Sequence, residues 1–269
     1  MVFSSFLILA CAPPRDPAPE DLEGLTRYLY LNWQDRDLVQ EGMTNMAQWL
    51  TTDGQSEVAQ EEGYVLAPLD EEILEGIVYP TRVPLSIMAG AAVARNSVYS
   101  IDQHAAVIIE EDQRWNAPNK YELYERIIIE GDTDEFLSAE AHTLPSTLFT
   151  DNDTIQERLG IRIPYLLRKN YRWTSTENGN RALIARSWVP EYGCSGDDGE
   201  SGNCLELSFS VDLFYENDDN TTTRMTASWN YLSLILEMPF DFQIDQLVSG
   251  IIAVDEATDV RLEEVFGAP

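Results

Sequence analysis

The chain reads as an α+β fold in which a run of antiparallel strands ends in a long C-terminal helix, with a short helical region ahead of it. Three observations predict this. Residues 205–215 alternate strictly: Leu205, Leu207, Phe209, Val211, Leu213 and Tyr215 share one face, Glu206, Ser208, Ser210 and Asp212 the other. That is the pattern of an antiparallel strand with one buried and one wet side. Residues 225–231 repeat it through Met225, Ala227, Trp229 and Tyr231. From Phe240 to Phe266 the period becomes helical, with Ile244, Leu247, Val248, Ile251 and Ile252 at helical steps. Gly250 is a weak point in that helix, costing up to about 1 kcal/mol relative to Ala.

The remaining elements follow in order. Leu22, Leu25, Leu29 and Trp33 recur at three- and four-residue steps behind Glu20, Asp21 and Glu23, which suit a helix N-terminus. Val39, Met43, Met46, Trp49 and Leu50 mark a second short helix. Residues 51–84, broken by Gly54, Gly63, Pro68, Gly76, Pro80 and Pro84, read as a connector with one helical turn near Asp70 to Leu74. Leu85 to Tyr99 is small, apolar and tolerant of strand. Ser100-Ile101-Asp102-Gln103 has capping-box form and opens a helix with Ile101, Ala105, Ile108 and Ile109 on one face. Tyr121 to Glu130 reads as a strand with Tyr121, Leu123, Ile127 and Ile129 on one side, and residues 136–149 as the next, bent near Pro145. Ile163, Tyr165, Leu167, Tyr171 and Trp173 alternate with Arg162, Arg168, Asn170 and Arg172. A turn through Glu177-Asn178-Gly179-Asn180 leads into a strand over Arg181 to Val189.

Composition bounds the function. With 269 residues and 44% hydrophobic content the chain buries one large core or two modest ones. A net charge of −30 repels nucleic acid and anionic headgroups, which excludes sequence-independent polynucleotide binding. Such acidity is read as a matter of solubility or habitat. The acidic clusters at 131–135, 151–153, 197–200 and 216–220 lack the spacing of a twelve-residue calcium loop, so they read as solvated turns. No metal and no cofactor is predicted. Nor is any catalytic residue: His104 and His142 stand in unrelated contexts, and no nucleophile elbow, metalloprotease helix motif or phosphate-binding glycine loop occurs. A non-enzyme is the expectation.

At the N-terminus the apolar run Val2 to Ala10 ends in Cys11, followed by Ala12-Pro13-Pro14-Arg15-Asp16-Pro17-Ala18-Pro19. This order resembles a bacterial lipoprotein signal. It departs from that pattern in having no Lys or Arg in residues 1–11 and Leu9 two positions before the cysteine. The resemblance implies a lipoprotein signal over 1–11 that is cut before a lipid-bearing Cys11, a tether over 12–19, and a lipid-anchored protein of the cell envelope, at the outer membrane or periplasmic face. The helical region with its connector then spans 20–84 and the strand-rich domain 85–269. The run itself is too short to span a bilayer. Cys194 and Cys204 flank a polar loop with three glycines, and an exported chain is free to join them as a disulfide. One pair is too few for a structural zinc site.

The element order over about residues 85–266 resembles the START-like, or Bet v 1-like, helix-grip family. That resemblance implies a curved sheet wrapped on the last helix, often around an apolar cavity, and binding or transport of an apolar small molecule. Trp173, Trp188, Trp229, Tyr165 and Tyr231 are candidates to line such a cavity, and serve equally as core that fills it. Arg162, Arg168 and Arg172 share a strand face, with Lys169, Arg181 and Arg186 near in sequence or on the next strand. They read either as a carboxylate or phosphate grip or as an outward face paired with acidic neighbours. The expected ligand-binding set is Arg168, Arg172, Trp173, Trp188, Trp229 and Tyr231. The alternative is an adaptor that holds a protein partner through the helices over 20–50, with Trp33 and Trp49 as contacts.

Overall fold

Nine strands hydrogen-bond into one sheet in the computed structural model, which describes residues 17–116, 121–138, 147–158, 161–197, 199–235 and 238–268. They are β1 (Tyr64–Leu66), β2 (Ala89–Ser97), β3 (Tyr121–Glu130), β4 (Thr147–Arg158), β5 (Ile161–Ser175), β6 (Arg181–Trp188), β7 (Gly193–Cys194), β8 (Cys204–Glu216) and β9 (Thr222–Ser233). The order is β1-β2-β9-β8-β6-β5-β4-β3, with β7 also on β8, and every pairing is antiparallel. The helices are α1 (Leu22–Leu31), α2 (Arg36–Thr51), α3 (Ile101–Ile108), the single turn α4 (Thr133–Phe136) and α5 (Phe240–Phe266). The predicted α+β architecture of antiparallel sheet and long C-terminal helix therefore stands. Cys11, the apolar run before it, residues 12–16, His142 and Pro145 lie outside the described residues.

Local chemistry sets the helix starts. Asp21 accepts from the Gly24 amide at 2.8 Å, and Asp35 from those of Asp37 and Leu38. Ser100 and Gln103 form both halves of the capping box at α3, which satisfies amides that have no partner within the helix.

The sheet is covered on both faces. On one, Leu25, Leu29 and Tyr30 of α1 and Met43, Met46 and Leu50 of α2 pack on Phe209, Val211, Leu213, Ala227 and Trp229. The apolar side of the 205–215 alternation thus meets the N-terminal helices. On the other, α3 and α4 bring Ile101, Ala105 and Phe136 onto Tyr171, Trp173 and Leu183. The first half of α5 sets Ile244, Val248 and Ile251 on Ala89, Ala91 and Val93 of β2. The Cys194–Cys204 disulfide is present and ties β7 to the start of β8. Among the described residues no helix is long and apolar enough to cross a membrane.

Several local expectations are corrected. The connector over 51–84 contains β1, whose three residues are too few to show an alternation, and a short wide turn over Val58–Glu62. The strand expected over 136–149 starts only at Thr147. Before it, Asp132 caps a helical turn by accepting from the Glu135 amide at 2.9 Å. In β3 the buried side chains are Tyr124 and Arg126, while Ile127 and Ile129 are more than half exposed. β3 is the sheet edge, with register shifts at both ends, so its isoleucines meet no layer. A register shift between Leu205 and Leu207 turns Leu205 away from the face of Leu207.

A cavity between the last helix and the polar face of the sheet

The second half of the β8 pattern decides the site. Ser208, Ser210 and Asp212, expected on a wet face, lie under α5 and line a partly open space of about 340 Å³. Thr226, Ser228 and Asn230 of β9, Ser187 of β6 and Lys169 of β5 complete this polar wall. On the opposite side Leu247, Ile251 and Val254 of α5 form an apolar stretch, with Gln246, Asp255 and Thr258 beside it, and Gly250 leaves room between them. Ile108 at the end of α3, with Trp115, Tyr121 and Tyr165, also lines the space. The lining is therefore amphipathic, as small-molecule sites commonly are.

The polar wall is partly bonded to itself. Ser187 and Ser210 share a hydrogen bond of 2.7 Å, Thr226 donates to Asp212 at 3.1 Å, and the Asn230 amide donates to Ser228 at 3.3 Å. What is left open points to a ligand. The Asn230 Oδ1, Trp115 Nε1 and Asn116 Oδ1 atoms are buried with no hydrogen-bond partner. The Lys169 ammonium reaches Asp212 only at 3.9 Å, beyond hydrogen-bond distance. Burial opposes the charge on Lys169, but Tyr171 and Asp212 beside it outweigh that and hold its pKa above the ordinary value. The lysine thus faces the space charged, with most of its donor capacity unused. Both it and Asp212 keep 19% of their side-chain surface accessible.

Further along α5, Asp255 lines the same space. Its carboxyl pKa is pushed up to about 6 by burial, against the lowering pull of Arg224 and Arg95. Arg224 gives its two terminal nitrogens to Asp259 at 2.9 and 3.0 Å, donates from Nη1 to the Asp255 backbone carbonyl at 3.3 Å, and approaches the Asp255 carboxylate with Nε at 3.5 Å. His104 stands outside the lining against the Phe214 ring. Burial, with Arg224 adding to it, holds its pKa well below the ordinary value.

The expected ligand-binding set is not brought to this cavity. Trp188, Trp229 and Tyr231 belong to the α1–α2 face, and Arg168 and Arg172 point to that same face, since their cross-strand partners are Trp188 and Ile184. Trp173 is on the cavity face, but its Nε1 donates to the Phe136 carbonyl at 2.9 Å in the core under α3 and α4. Tyr165 does line the space. The physical reason is that bulky aromatics on a strand pack wherever a layer covers them, and here that layer is α1 and α2. The residues that line the cavity, Ser208, Ser210, Asp212, Ser228 and Asn230, carry the signal of an ordinary solvated strand face.

No family model matches the chain. No curated protein matches it either. It is similar to solved structures. Human StAR-related lipid transfer protein 5 is 7% identical, with 83% of this chain and 96% of that chain covered and a TM-score of 0.43. A START superfamily protein from Mycobacterium smegmatis is 7% identical, covering 65% of this chain and 98% of that chain, with a TM-score of 0.43. A STAR-related lipid transfer protein from Xanthomonas axonopodis is 7% identical over 65% of this chain and 85% of that one, with a TM-score of 0.41. At these values the likenesses carry no argument about a ligand; the cavity has to be read from its own walls.

Proposed function

We propose that this protein is a non-catalytic, lipid-anchored envelope protein that binds an apolar small molecule with a polar end in the cavity under α5. The observation that carries this is the partly open space of about 340 Å³, apolar along Leu247, Ile251 and Val254 and polar along Ser208, Ser210 and Asn230. Such a site removes an aliphatic or ring system from water at about 25 cal/mol per Å² while the open donors and acceptors fix its polar end. A binding role fits His104 better than a catalytic one, because that side chain is held uncharged outside the walls.

The wild-type protein, purified from its native membrane fraction and extracted with organic solvent, is expected to release a co-purifying amphipathic molecule detectable by mass spectrometry. Gly250→Phe places a ring where no atom lies within 4 Å of the added Cβ and is expected to empty the site. Equal recovery from the two proteins, or nothing above an unrelated control, would sink the reading.

The anchor rests on the order of apolar run, Cys11 and proline-rich tether. Cells fed labelled palmitate are expected to label the wild type and not Cys11→Ser; equal labelling would refute the anchor. The adaptor alternative draws no support from the helices over 20–50. Trp33 and Trp49 are 2% and 8% exposed and belong to the core shared with the sheet.

A further inference from the structure

The face of the sheet opposite the cavity holds a feature that the proposed function does not use. Arg172 of β5 and Arg186 of β6 are 8% and 7% exposed. They share that face because Arg172 pairs with Ile184 and Asn170 with Arg186 across the two strands. Both guanidinium groups lie by the Trp33 ring, at 5.7 and 5.2 Å from its centroid, below the turn that joins α1 to α2. Arg186 also lies 5.6 Å from the Trp188 ring and gives one hydrogen bond, from Nη1 to the Tyr30 carbonyl.

Among the described residues neither arginine forms a salt bridge, although the Asp35 carboxylate and the Arg36 guanidinium act on Arg172 from further off. In a chain with 47 acidic residues that departs from how its other arginines behave. Arg168, on the same strand as Arg172, holds Asp151 at 2.9 Å, and Arg181, Arg224 and Arg261 each hold two acids. Buried Arg126 lacks an acid but gives hydrogen bonds to Asn152, Tyr124, Tyr171 and the Ile108 carbonyl. By contrast Arg172 Nε and Nη1, Arg186 Nε and Trp188 Nε1 are buried donors without partners. Stacking on aromatic rings stabilises a guanidinium but leaves its in-plane N–H groups unspent. Buried charges ordinarily come paired, because an unpaired one is costly.

We propose that Arg172 and Arg186, with the Trp188 indole N–H, form a binding site for a small oxoanion, a phosphate or carboxylate group, beneath the α1–α2 turn. The fork of each guanidinium matches the oxygen spacing of such groups, and two adjacent cations compensate a single anion well. The electrostatics agree. Burial draws Arg186 down to about 10, and Arg172 beside it adds to that, so an incoming anion relieves a repulsion already present. Both arginines remain charged at neutral pH.

The test is a thermal titration of the full chain with inorganic phosphate, acetate or chloride at matched ionic strength. The midpoint is expected to rise with phosphate, acetate or both above chloride. In Arg172→Gln/Arg186→Gln the apparent affinity is expected to fall about tenfold or more, the size of a lost charge-assisted hydrogen bond. Identical midpoints in the three salts, or an oxoanion response that survives both substitutions, would overturn the proposal. If the double variant does not fold, Arg172→Gln alone decides by the same readings. Gly250→Phe separates the two sites: a response retained there keeps the anion on the α1–α2 face. A response lost there would place it in the cavity and overturn the assignment.

Discussion

Trp229→Ala is expected to destabilise the protein by about 3–5 kcal/mol, the range for removing a large aromatic side chain from a core. Trp229 is fully buried in the layer between β9 and the N-terminal helices. Its indole N–H donates to the Ala67 carbonyl at 3.0 Å, linking the segment after β1 to the middle of the sheet. Gly90 makes the room: a Cβ there would stand 2.5 Å from the Trp229 Cδ1. The substitution therefore opens a cavity and removes one hydrogen bond from the Ala67 carbonyl, which keeps the Arg27 guanidinium as a donor at 3.2 Å, so the cavity is the larger cost. Urea unfolding followed by circular dichroism measures the change. A loss below about 1 kcal/mol would mean that neighbouring side chains collapse into the space.

Asp255→Asn is expected to stabilise the protein at pH 7, by roughly 1–3 kcal/mol. The sign follows from burial. In the folded chain the Asp255 pKa stands at about 6, above its ordinary value of 3.8. Between those two values the folded state binds the proton more tightly, so stability falls as pH rises from about 4 to 6 and stays reduced above. A shift of about two units corresponds to about 3 kcal/mol. The Asn variant forfeits the weak 3.5 Å contact with Arg224, which lowers the net gain. Because the chain carries 47 acidic residues, the informative quantity is the variant minus wild-type stability at each pH. That difference should grow from pH 4 to pH 6 and level off; a difference flat in pH would show that burial of this carboxylate is not costly.

Some elements were legible because their signals are local. The ends of α5 at Phe240 and Phe266, the capping box at Ser100 and Gln103, and the alternation in β8 from Leu207 onward and in β9 coincide with the structure. Each depends on side chains a few residues apart, and period and capping report such neighbours directly. The β3 isoleucines misled because alternation says which residues share a face, not whether anything covers it. The same gap hid the cavity: Ser208, Ser210 and Asp212 look identical in sequence whether water or a helix lies above them.

By itself the sequence determined the fold class, a run of antiparallel strands closed by a long C-terminal helix, and the cysteines that join as Cys194–Cys204. It also determined that the two faces of β8 differ. Only the tertiary structure decided what each face meets: α1 and α2 over the aromatic side, α5 over the hydroxyl side. It likewise decided that Arg168 finds Asp151 while Arg172 and Arg186 find Trp33. The reason is distance along the chain. Trp33 lies more than a hundred residues before the two arginines, and α5 begins after the last strand. Contacts at that separation are set by how whole layers stack, which no local pattern encodes.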